Sequence, residues 1–189
     1  MAVVLASGSP RRAELMRMMG IGEFKVIPDG SEERMTPGLP PAQTVCDIAL
    51  EKAKNVSRLC GVHDTIIAAD TLVYVDGRPL GKPESRDDAA EMLRELSGRR
   101  HTVYTGVVLI KADKCVTGVE MTDVFFRRIS DAEISAYIET DEPMDKAGAY
   151  AAQGRGAVFI ERIEGDFFNV MGLPLCRLYL MLRDFGDIR

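Results

Sequence analysis

A short loop near the start of the chain combines hydroxyl and guanidinium groups. It has the sequence Ser-Gly-Ser-Pro-Arg-Arg at residues 7–12, and it follows an apolar run at residues 2–6 that predicts a buried strand. The serine and proline at its centre suit the N-cap and first turn of a helix. Such a junction binds anions, and Ser7, Arg11 and Arg12 add donors suited to a polyphosphate. The alternative is an exposed loop with two solvated arginines.

A carboxylate stands at the end of a continuous apolar run. Residues 65–70, with the sequence TIIAAD, predict a central strand, and Asp70 and Thr71 stand where we expect that strand to end. Open α/β sheets place their ligands beyond the carboxyl ends of strands. An aspartate there can bind Mg²⁺ or orient a water for attack. Taken alone, Asp70 could instead be a turn-forming aspartate.

Three lysines stand in contexts that could bring an ammonium group to a phosphate. Lys52 lies on a predicted helix, and Lys82 lies in Leu-Gly-Lys-Pro, where the glycine and proline make a fixed turn. Lys146 lies in Asp-Lys-Ala-Gly-Ala-Tyr, a turn of small residues that could approach a ligand closely. For any one of them, the alternative is a solvated surface charge.

Two acids in a polar loop, Glu32 and Glu33, could complete a hard-cation site with Asp70, although a solvated acidic loop is the alternative. Only two histidines occur, His63 and His101, and no Ser-His-Asp arrangement is visible. Nucleophilic catalysis through histidine is therefore disfavoured. Metal-assisted attack by water needs only carboxylates and cations, and both are present here.

Strands and helices must position these groups. Apolar patterning and turn residues predict strands at residues 2–6, 24–27, 65–70, 72–75, 78–80, 102–111, 114–128 and 157–163. Helices are predicted at residues 10–20, 45–61, 85–96, 130–140 and 173–185. This mixture favours an α/β fold with a mixed, twisted sheet and flanking helices. The 189 residues suit a single domain over residues 1–189, or two intimately packed lobes.

Charge and composition exclude several kinds of partner. The net charge is −5 and no basic tail is present, which argues against binding to nucleic acid. No segment is long enough to span a membrane, and the first apolar run is too short for a signal peptide, so we expect a cytoplasmic protein. The four cysteines match no metal motif and are predicted to be buried, reduced thiols.

Together these segments resemble the Maf family of nucleotide pyrophosphatases. The resemblance covers almost the whole chain, in the order of the family's motifs. It rests on LASGSPRRAELM near the start, the Glu32 loop, ALEKAK around Lys52, AADT at Asp70, LGKP at Lys82, LSGRRHTVYTGV, DKAGAYAAQG and NVMGLP. It implies a fold like that of the inosine triphosphate pyrophosphatases, the Maf/Ham1 fold, with two lobes around a deep cleft. It also implies a homodimer.

The resemblance further implies hydrolysis of a nucleoside triphosphate to the monophosphate and pyrophosphate with a divalent cation, for which we expect Mg²⁺ or Mn²⁺. Asp70 matches the family's catalytic acid, and Glu32 its loop acid. Ser7, Arg12, Lys52 and Lys82 match positions that handle phosphate. The loop PDGSEERM departs from the commoner pattern, so either Glu32 or Glu33 could be the working acid.

Three positions separate two branches of this family. Arg11, Thr71 and Gln153 match the branch that acts on dTTP and UTP, whereas the branch that acts on 7-methyl-GTP carries Tyr, Gln and Glu there. The amide of Gln153 can both donate to and accept from a pyrimidine edge. A mild departure is Ala-Ala at residues 151–152, where the first branch often has Gly-Ile.

Two alternative functions remain open at this point. One is a pyrophosphatase for 7-methyl-GTP, CTP or modified pyrimidine triphosphates. The other is a nucleotide-binding regulator of cell division or septum formation with little turnover. The presence of Asp70 with the lysines disfavours the regulator, because a pure binder does not need a carboxylate facing phosphates.

Overall fold

The computed structural model describes residues 2–31 and 35–187 as an α/β protein, which confirms the predicted fold class. The strands in this part of the chain are β1 (Val3–Leu5), β2 (Phe24–Val26), β3 (Thr65–Val75), β4 (Arg78–Leu80), β5 (Arg100–Lys111), β6 (Lys114–Phe126) and β7 (Ile160–Glu164). The helices are α1 (Pro10–Met18), α2 (Pro41–Ser57), α3 (Arg86–Leu96), α4 (Asp131–Ile138), α5 (Phe167–Met171) and α6 (Leu175–Phe185). The predicted loop acids Glu32 and Glu33 lie outside the described residues.

One mixed sheet contains all of these strands, in the order β2-β1-β3-β5-β6-β7 with β4 paired to β3. β1 runs parallel to both of its neighbours, and β7 runs antiparallel to β6. β4 is antiparallel to β3 with Val75 opposite Arg78, so the strands predicted at residues 72–75 and 78–80 form a hairpin. The predicted mixed sheet is therefore present.

The chain divides into two compact units. The first unit comprises Met1–Asp70, Thr105–Glu120 and Gly172–Arg189, and the second comprises Thr71–Tyr104 and Met121–Met171. The apolar core of the first unit joins β1, α2, β3 and β5 through Val4, Ala6, Ala49, Ala53, Val56, Ile66, Ala68 and Val108. In the second unit, α3 and α4 pack through residues that include Leu93, Leu96, Ile134 and Tyr137. The single domain and the cleft implied by the resemblance stay predictions.

Strand β3 corrects one prediction that bears on function. The apolar run does not end at Asp70, because β3 continues to Val75, so Asp70 lies in mid-strand and not at a carboxyl end. The residues that follow, Thr-Leu-Val-Tyr-Val, are strand formers. A carboxylate can stand inside a buried strand when it has a charged partner, and the sequence pattern alone did not reveal that partner.

The last third of the chain contains further corrections. The predicted strand at residues 157–163 is confirmed from Ile160 onward as β7, but its first three residues belong to a 3₁₀ turn, Arg155–Phe159. The predicted helix at residues 173–185 begins at Leu175, because Pro174 occupies its N-cap and disfavours helical geometry in the residue before it. The short helix α5 was not predicted.

The burial of the cysteine side chains also differs from the prediction. All four cysteines are free, but Cys115 and Cys176 are exposed and Cys46 and Cys60 are half-buried, so their predicted burial was wrong. Local apolar context does not tell which face of an element a residue occupies. The face determines whether the side chain is buried, and the burial of these cysteines was therefore mispredicted.

None of the helices in the described part of the chain is long and apolar enough to cross a membrane. The expected cytoplasmic location stays a prediction.

Candidate active site

A buried ion pair joins helix α2 to strand β3. The Nζ atom of Lys52 lies 2.7 Å from Oδ1 of Asp70, to which it donates a hydrogen bond. The exposed fractions of the two side chains are 12% and 4%, so both charges are largely withdrawn from water. Charges are strongly disfavoured in such surroundings unless they are paired. The pair therefore holds an ionised carboxylate at a defined place in the sheet.

The sequence of α2 explains why Lys52 reaches the sheet. Val45, Ile48, Ala49, Ala53 and Val56 form the buried face of this helix, and Lys52 stands seven residues after the first of them. Residues seven apart lie on the same face of a helix. Lys52 therefore points inward with the apolar residues, although a lysine in a helix is usually exposed.

Close contact between α2 and β5 keeps this helix near the sheet. A Cβ atom at Gly106 of β5 would lie 2.5 Å from the carbonyl oxygen of Val45, so only glycine allows the helix to approach this far. A larger residue at position 106 would push the first turns of α2 away from the strand. The glycine therefore contributes to the position from which Lys52 meets Asp70.

A second cluster stands where β1 leads into α1. Nη1 of Arg12 donates to Oγ of Ser7 at 3.3 Å, and its Nε donates to the carbonyl oxygen of Gly172 at 2.8 Å. The backbone N–H of Ser9 also donates to Oγ of Ser7, at 3.2 Å. Ser9 is the N-cap, as predicted, but its side chain makes no capping hydrogen bond. The sequence-predicted loop, hydroxyl and guanidinium are thus assembled at a helix N-terminus.

Parallel pairing of β1 and β3 aligns the two clusters along the sheet. Leu5 lies opposite Ile67, and the N–H of Ala6 donates to the carbonyl of Ile67 at 2.7 Å. Ser7 therefore leaves the sheet two residues past this point, while β3 continues another three residues to Asp70. The loop at residues 7–12 and the buried carboxylate of Asp70 consequently belong to the same region of the first unit.

Two further residues predicted from the resemblance also lie in ordered elements. Arg11 is half-buried in the first turn of α1, next to Arg12. Thr71 is half-buried in β3, directly after Asp70.

In the second unit, a backbone hydrogen bond connects the two turns that carry Lys82 and Lys146. The N–H of Gly148 donates to the carbonyl of Gly81 at 3.0 Å. Lys146 is largely buried, and its ammonium donates to the carbonyl of Glu142 at 3.1 Å and to the carboxylate of Asp145. Lys82 is exposed. The structure thus brings together two lysine turns that lie far apart in sequence.

Gln153 lies in a turn of the second unit and its side chain is exposed, while Ala151 and Ala152 before it are buried. An exposed amide at a fixed turn is free to meet the edge of a ligand. The role of Gln153 in reading a base stays a prediction.

The described residues provide part of the set of ligands that a divalent cation requires. No group of three or more histidine, cysteine, aspartate or glutamate side chains that could hold a metal occurs within residues 2–31 and 35–187. Mg²⁺ nevertheless binds commonly through one or two carboxylates together with substrate phosphates. Asp70 fits that mode, whereas a cation bound only by protein carboxylates finds no support in this part of the chain.

Reading the sequence missed three groups that support the site. They are the carbonyl of Gly172, which holds Arg12, and the side chains of Tyr137 and Glu142, which bind the turn around Gln153. No local pattern marks these contacts, because each joins segments that are separated in sequence.

Comparison with known proteins supplies the family. Residues 2–185 match the family model described as Maf-like protein. The chain belongs to the Maf family. A Maf relative from Caldicellulosiruptor saccharolyticus, named dTTP/UTP pyrophosphatase, is 45% identical over 97% of this chain and 94% of its own length. A protein of the same name from Bacillus anthracis is 44% identical over 97% of this chain and 95% of its own length.

Solved structures support the fold assigned to this Maf protein. A HAM1 protein from Coxiella burnetii aligns with a TM-score of 0.57 at 16% identity, over 97% of this chain and 99% of that one. The Staphylococcus aureus Ham1 protein aligns with a TM-score of 0.55 at 13% identity, over the same shares of the two chains. The predicted Maf/Ham1 fold is confirmed.

Proposed function

We propose that this Maf protein hydrolyses dTTP and UTP to the nucleoside monophosphate and pyrophosphate. The observation that carries the proposal is the buried Lys52–Asp70 pair, together with the loop at residues 7–12 that follows the strand paired with β3. The chain is also similar over 97% of its length to proteins named dTTP/UTP pyrophosphatase. The pair supplies a fixed carboxylate, and the loop supplies donors for phosphate oxygens.

The reaction needs two things from the chain. The negative charge of the triphosphate must be neutralised, and a water must be placed in line with the bond between the α-phosphorus and the bridging oxygen. We assign the first task to Arg11, Arg12, Lys82 and Lys146, with the hydroxyl of Ser7 as an additional donor. Guanidinium groups suit this task because they offer several N–H donors to phosphate oxygens.

Asp70 performs the second task. Its carboxylate accepts a hydrogen bond from the attacking water. This hydrogen bond orients a lone pair of the water oxygen toward the α-phosphorus. The water oxygen bonds to phosphorus, the bridging P–O bond breaks, and pyrophosphate leaves with the electron pair. The ammonium of Lys52 stabilises the negative charge on Asp70 until the carboxylate accepts a proton from the attacking water.

We propose Mg²⁺ or Mn²⁺ as the cofactor, which would be held by Asp70 together with phosphate oxygens of the substrate and, as the resemblance implies, by Glu32. When bound, the ion would neutralise phosphate charge and favour attack by water. A hard cation suits this set of ligands because all of its members are oxygen atoms.

The choice of base is assigned to Gln153, with Arg11 and Thr71 as the other two branch-specific positions. A side-chain amide offers one acceptor and two donors, which match the N3–H and the carbonyl groups of uracil or thymine. A site built to make these hydrogen bonds rejects bases that leave them unmade.

The cleavage point can be tested with isotopically labelled water. Turnover of UTP in H₂¹⁸O with Mg²⁺ should place one ¹⁸O atom in UMP and none in pyrophosphate, as measured by mass spectrometry. Label in pyrophosphate would move the attack to the β-phosphorus, and UDP with orthophosphate would reject the proposal. A panel including dTTP, CTP, GTP, 7-methyl-GTP and 5-methyl-UTP should show the highest kcat/KM for dTTP and UTP.

The same preparation tests the remaining expectations. We propose a homodimer in the cytoplasm that binds neither nucleic acid nor membrane. Light scattering after gel filtration measures the mass against 20.8 kDa for one chain. Tight binding of UTP without release of pyrophosphate would favour the regulator of cell division or septum formation.

A further inference from the structure

A four-residue turn presents Gln153 to solvent. The N–H of Gly154 donates to the carbonyl of Ala151 at 3.3 Å, which closes the turn around Ala152 and Gln153. Ala151 and Ala152 are buried, with exposed fractions of 4% and 6%, so the turn is anchored through its first half. The orientation of the exposed amide therefore depends on what holds the two ends of the turn.

The hydroxyl of Tyr137 holds the first end. It accepts a hydrogen bond from the N–H of Ala151 at 3.1 Å and donates one to Oε1 of Glu142 at 2.8 Å. The ring packs edge to face against Phe159, with centroids 5.1 Å apart, and only 4% of Tyr137 is exposed. Its hydroxyl is therefore fixed by packing as well as by hydrogen bonds.

The carboxylate of Glu142 holds the other end. Oε2 accepts from the N–H of Arg155 at 3.1 Å, and Oε1 accepts from the N–H of Gly156 at 3.2 Å. A Cβ atom at Gly154 would collide with this carboxylate, so glycine lets the acid approach the turn. One carboxylate thus binds two consecutive N–H groups directly after the turn, and the tyrosine hydroxyl that it contacts binds the N–H at the start.

The protonation states suit this arrangement. Burial and the hydrogen bond to Glu142 raise the pKa of Tyr137 above its usual value, so the hydroxyl keeps its proton at neutral pH. For Glu142, burial favours the neutral acid, but hydrogen bonds from Arg155, Tyr137 and Gly156 outweigh it and lower the pKa. The acid is consequently an ionised acceptor, and hydrogen bonds to a charged acceptor are the stronger kind.

Glu142 also connects this turn to the proposed phosphate-binding lysine. The ammonium of Lys146 donates to the backbone carbonyl of Glu142 at 3.1 Å. The same residue therefore binds the base-reading turn through its side chain and Lys146 through its backbone.

We infer that Tyr137 and Glu142 are positioning residues that fix the turn at residues 151–154 and thereby determine how strictly Gln153 discriminates between bases. The inference rests on the proposed function of Gln153. Neither residue needs to touch the nucleotide, because each acts through the backbone of the turn.

The first test needs no substrate. Tyr137→Phe keeps the ring against Phe159 and removes both hydrogen bonds of the hydroxyl. Amide hydrogen exchange of residues 151–156 in the ligand-free protein should accelerate about three- to tenfold, which corresponds to the loss of one or two hydrogen bonds. Unchanged exchange in this segment would show that Tyr137 and Glu142 do not act as a clamp on the turn, whatever the activity of the variant. Tyr179→Phe, at an exposed position of α6, is the control and should leave the segment unchanged.

The second test connects the clamp to specificity. In Tyr137→Phe, the ratio of kcat/KM for UTP to that for GTP should fall about three- to tenfold. Combined with Gln153→Ala, the same substitution should lower the ratio no further, because its effect passes through Gln153. A purely structural role predicts equal losses for both nucleotides and additive effects in the double variant, and that outcome would overturn the inference.

Two further variants, Gln153→Ala alone and Glu142→Gln, distinguish a failure of the clamp from a failure of the base-reading role. If Gln153→Ala alone leaves the ratio unchanged, the proposed base-reading role fails, while the exchange experiment still decides on the clamp. If Tyr137→Phe does not fold, Glu142→Gln replaces it. That variant keeps the shape and one acceptor but turns an amide N–H₂ toward an N–H of the backbone, so both the exchange rate and the ratio should shift in the same directions. No shift in Glu142→Gln counts against the inference.

Discussion

Lys52 and Asp70 form an ion pair 2.7 Å apart in which both charges are almost fully withdrawn from water. The lysine stands on the inner face of a helix and the aspartate in the middle of a strand. Neither group would be stable there alone, so each explains the position of the other. The pair contributes to the stability of the first unit and to the proposed reaction. Substitutions at the two positions can separate the effect on stability from the effect on turnover.

Asp70→Asn should remove most of the turnover and leave the fold intact. The amide keeps the shape of the carboxylate but cannot take a proton from water or bind a hard cation well. The loss of a positioned base or ligand lowers the rate by a factor of about 10² to 10⁴. The measurement is kcat with dTTP at saturating Mg²⁺. Asp47→Asn makes the same chemical change at an exposed position of α2, and turnover within threefold of the parent in Asp70→Asn would reject the catalytic role.

Lys52→Met should destabilise the protein more than the double variant Lys52→Met/Asp70→Asn. Removing only the ammonium leaves a buried carboxylate without its cation, which costs on the order of 3 kcal/mol. Removing the carboxylate charge as well relieves most of that penalty. Urea unfolding of the parent, both single variants and the double variant gives the coupling free energy. Additive effects of the two substitutions would show that the pair has no structural role.

Activity should disappear on removal of divalent cations and return with Mg²⁺ or Mn²⁺. A polyphosphate and oxygen ligands favour these hard ions. The protein is stripped with EDTA, dialysed and assayed for pyrophosphate release with each ion in turn. Circular dichroism before and after stripping checks that the fold survives. Full turnover in excess EDTA would count decisively against a metal-dependent reaction.

Gln153→Glu should lower kcat/KM for UTP and dTTP more than for GTP. A carboxylate offers only acceptors, so a pyrimidine carbonyl loses its donor and meets a negative charge, whereas the N1–H and N2–H groups of guanine find an acceptor. An unmade hydrogen bond in a site costs roughly 1–3 kcal/mol, or about 5- to 150-fold. Gln43→Glu, at an exposed position in α2, is the matched control. An unchanged ratio for UTP against GTP would show that Gln153 does not read the base.

Acidification should destabilise the second unit through His101. Its ring is 2% exposed and bonds to the hydroxyl of Tyr150 at 2.9 Å, and burial lowers its pKa to about 4, although Asp123 acts in the opposite direction. The unfolded chain has a histidine pKa of about 6.5 and binds the proton first as the pH falls. The stabilising contribution is therefore complete above pH 6.5 and is lost progressively toward pH 4, by roughly 3 kcal/mol.

Urea unfolding at several pH values between 7 and 4 measures this loss. His101→Gln removes the titrating group, keeps a polar partner for Tyr150, and should flatten the dependence in that window. His63→Gln, in an exposed turn, should keep the steep fall of the parent. Equal slopes in the parent and in His101→Gln would assign the acid sensitivity to other groups.

The local sequence predicted a large part of the fold because it depends on short-range physics. Apolar patterning located β1, α2 and the hairpin of β3 and β4, and the order of the motifs identified the family. It failed at Asp70, because an acid after an apolar run is normally the end of a strand. It failed again at residues 157–159, where the N–H of Ala157 bonds to the carbonyl of Gly154 within a 3₁₀ turn instead of to a neighbouring strand.

The candidate site shows the same division between sequence and structure. The sequence alone named Ser7, Arg12, Lys52 and Asp70, because their residue types and their resemblance to the family require no coordinates. Only the tertiary structure decided that Lys52 bonds to Asp70 and that Arg12 is anchored by Gly172. It also revealed the contacts of Tyr137 and Glu142 with the turn around Gln153. Each of these contacts joins groups on different elements, and their pairing depends on how helices and strands pack, which no local pattern of residues encodes.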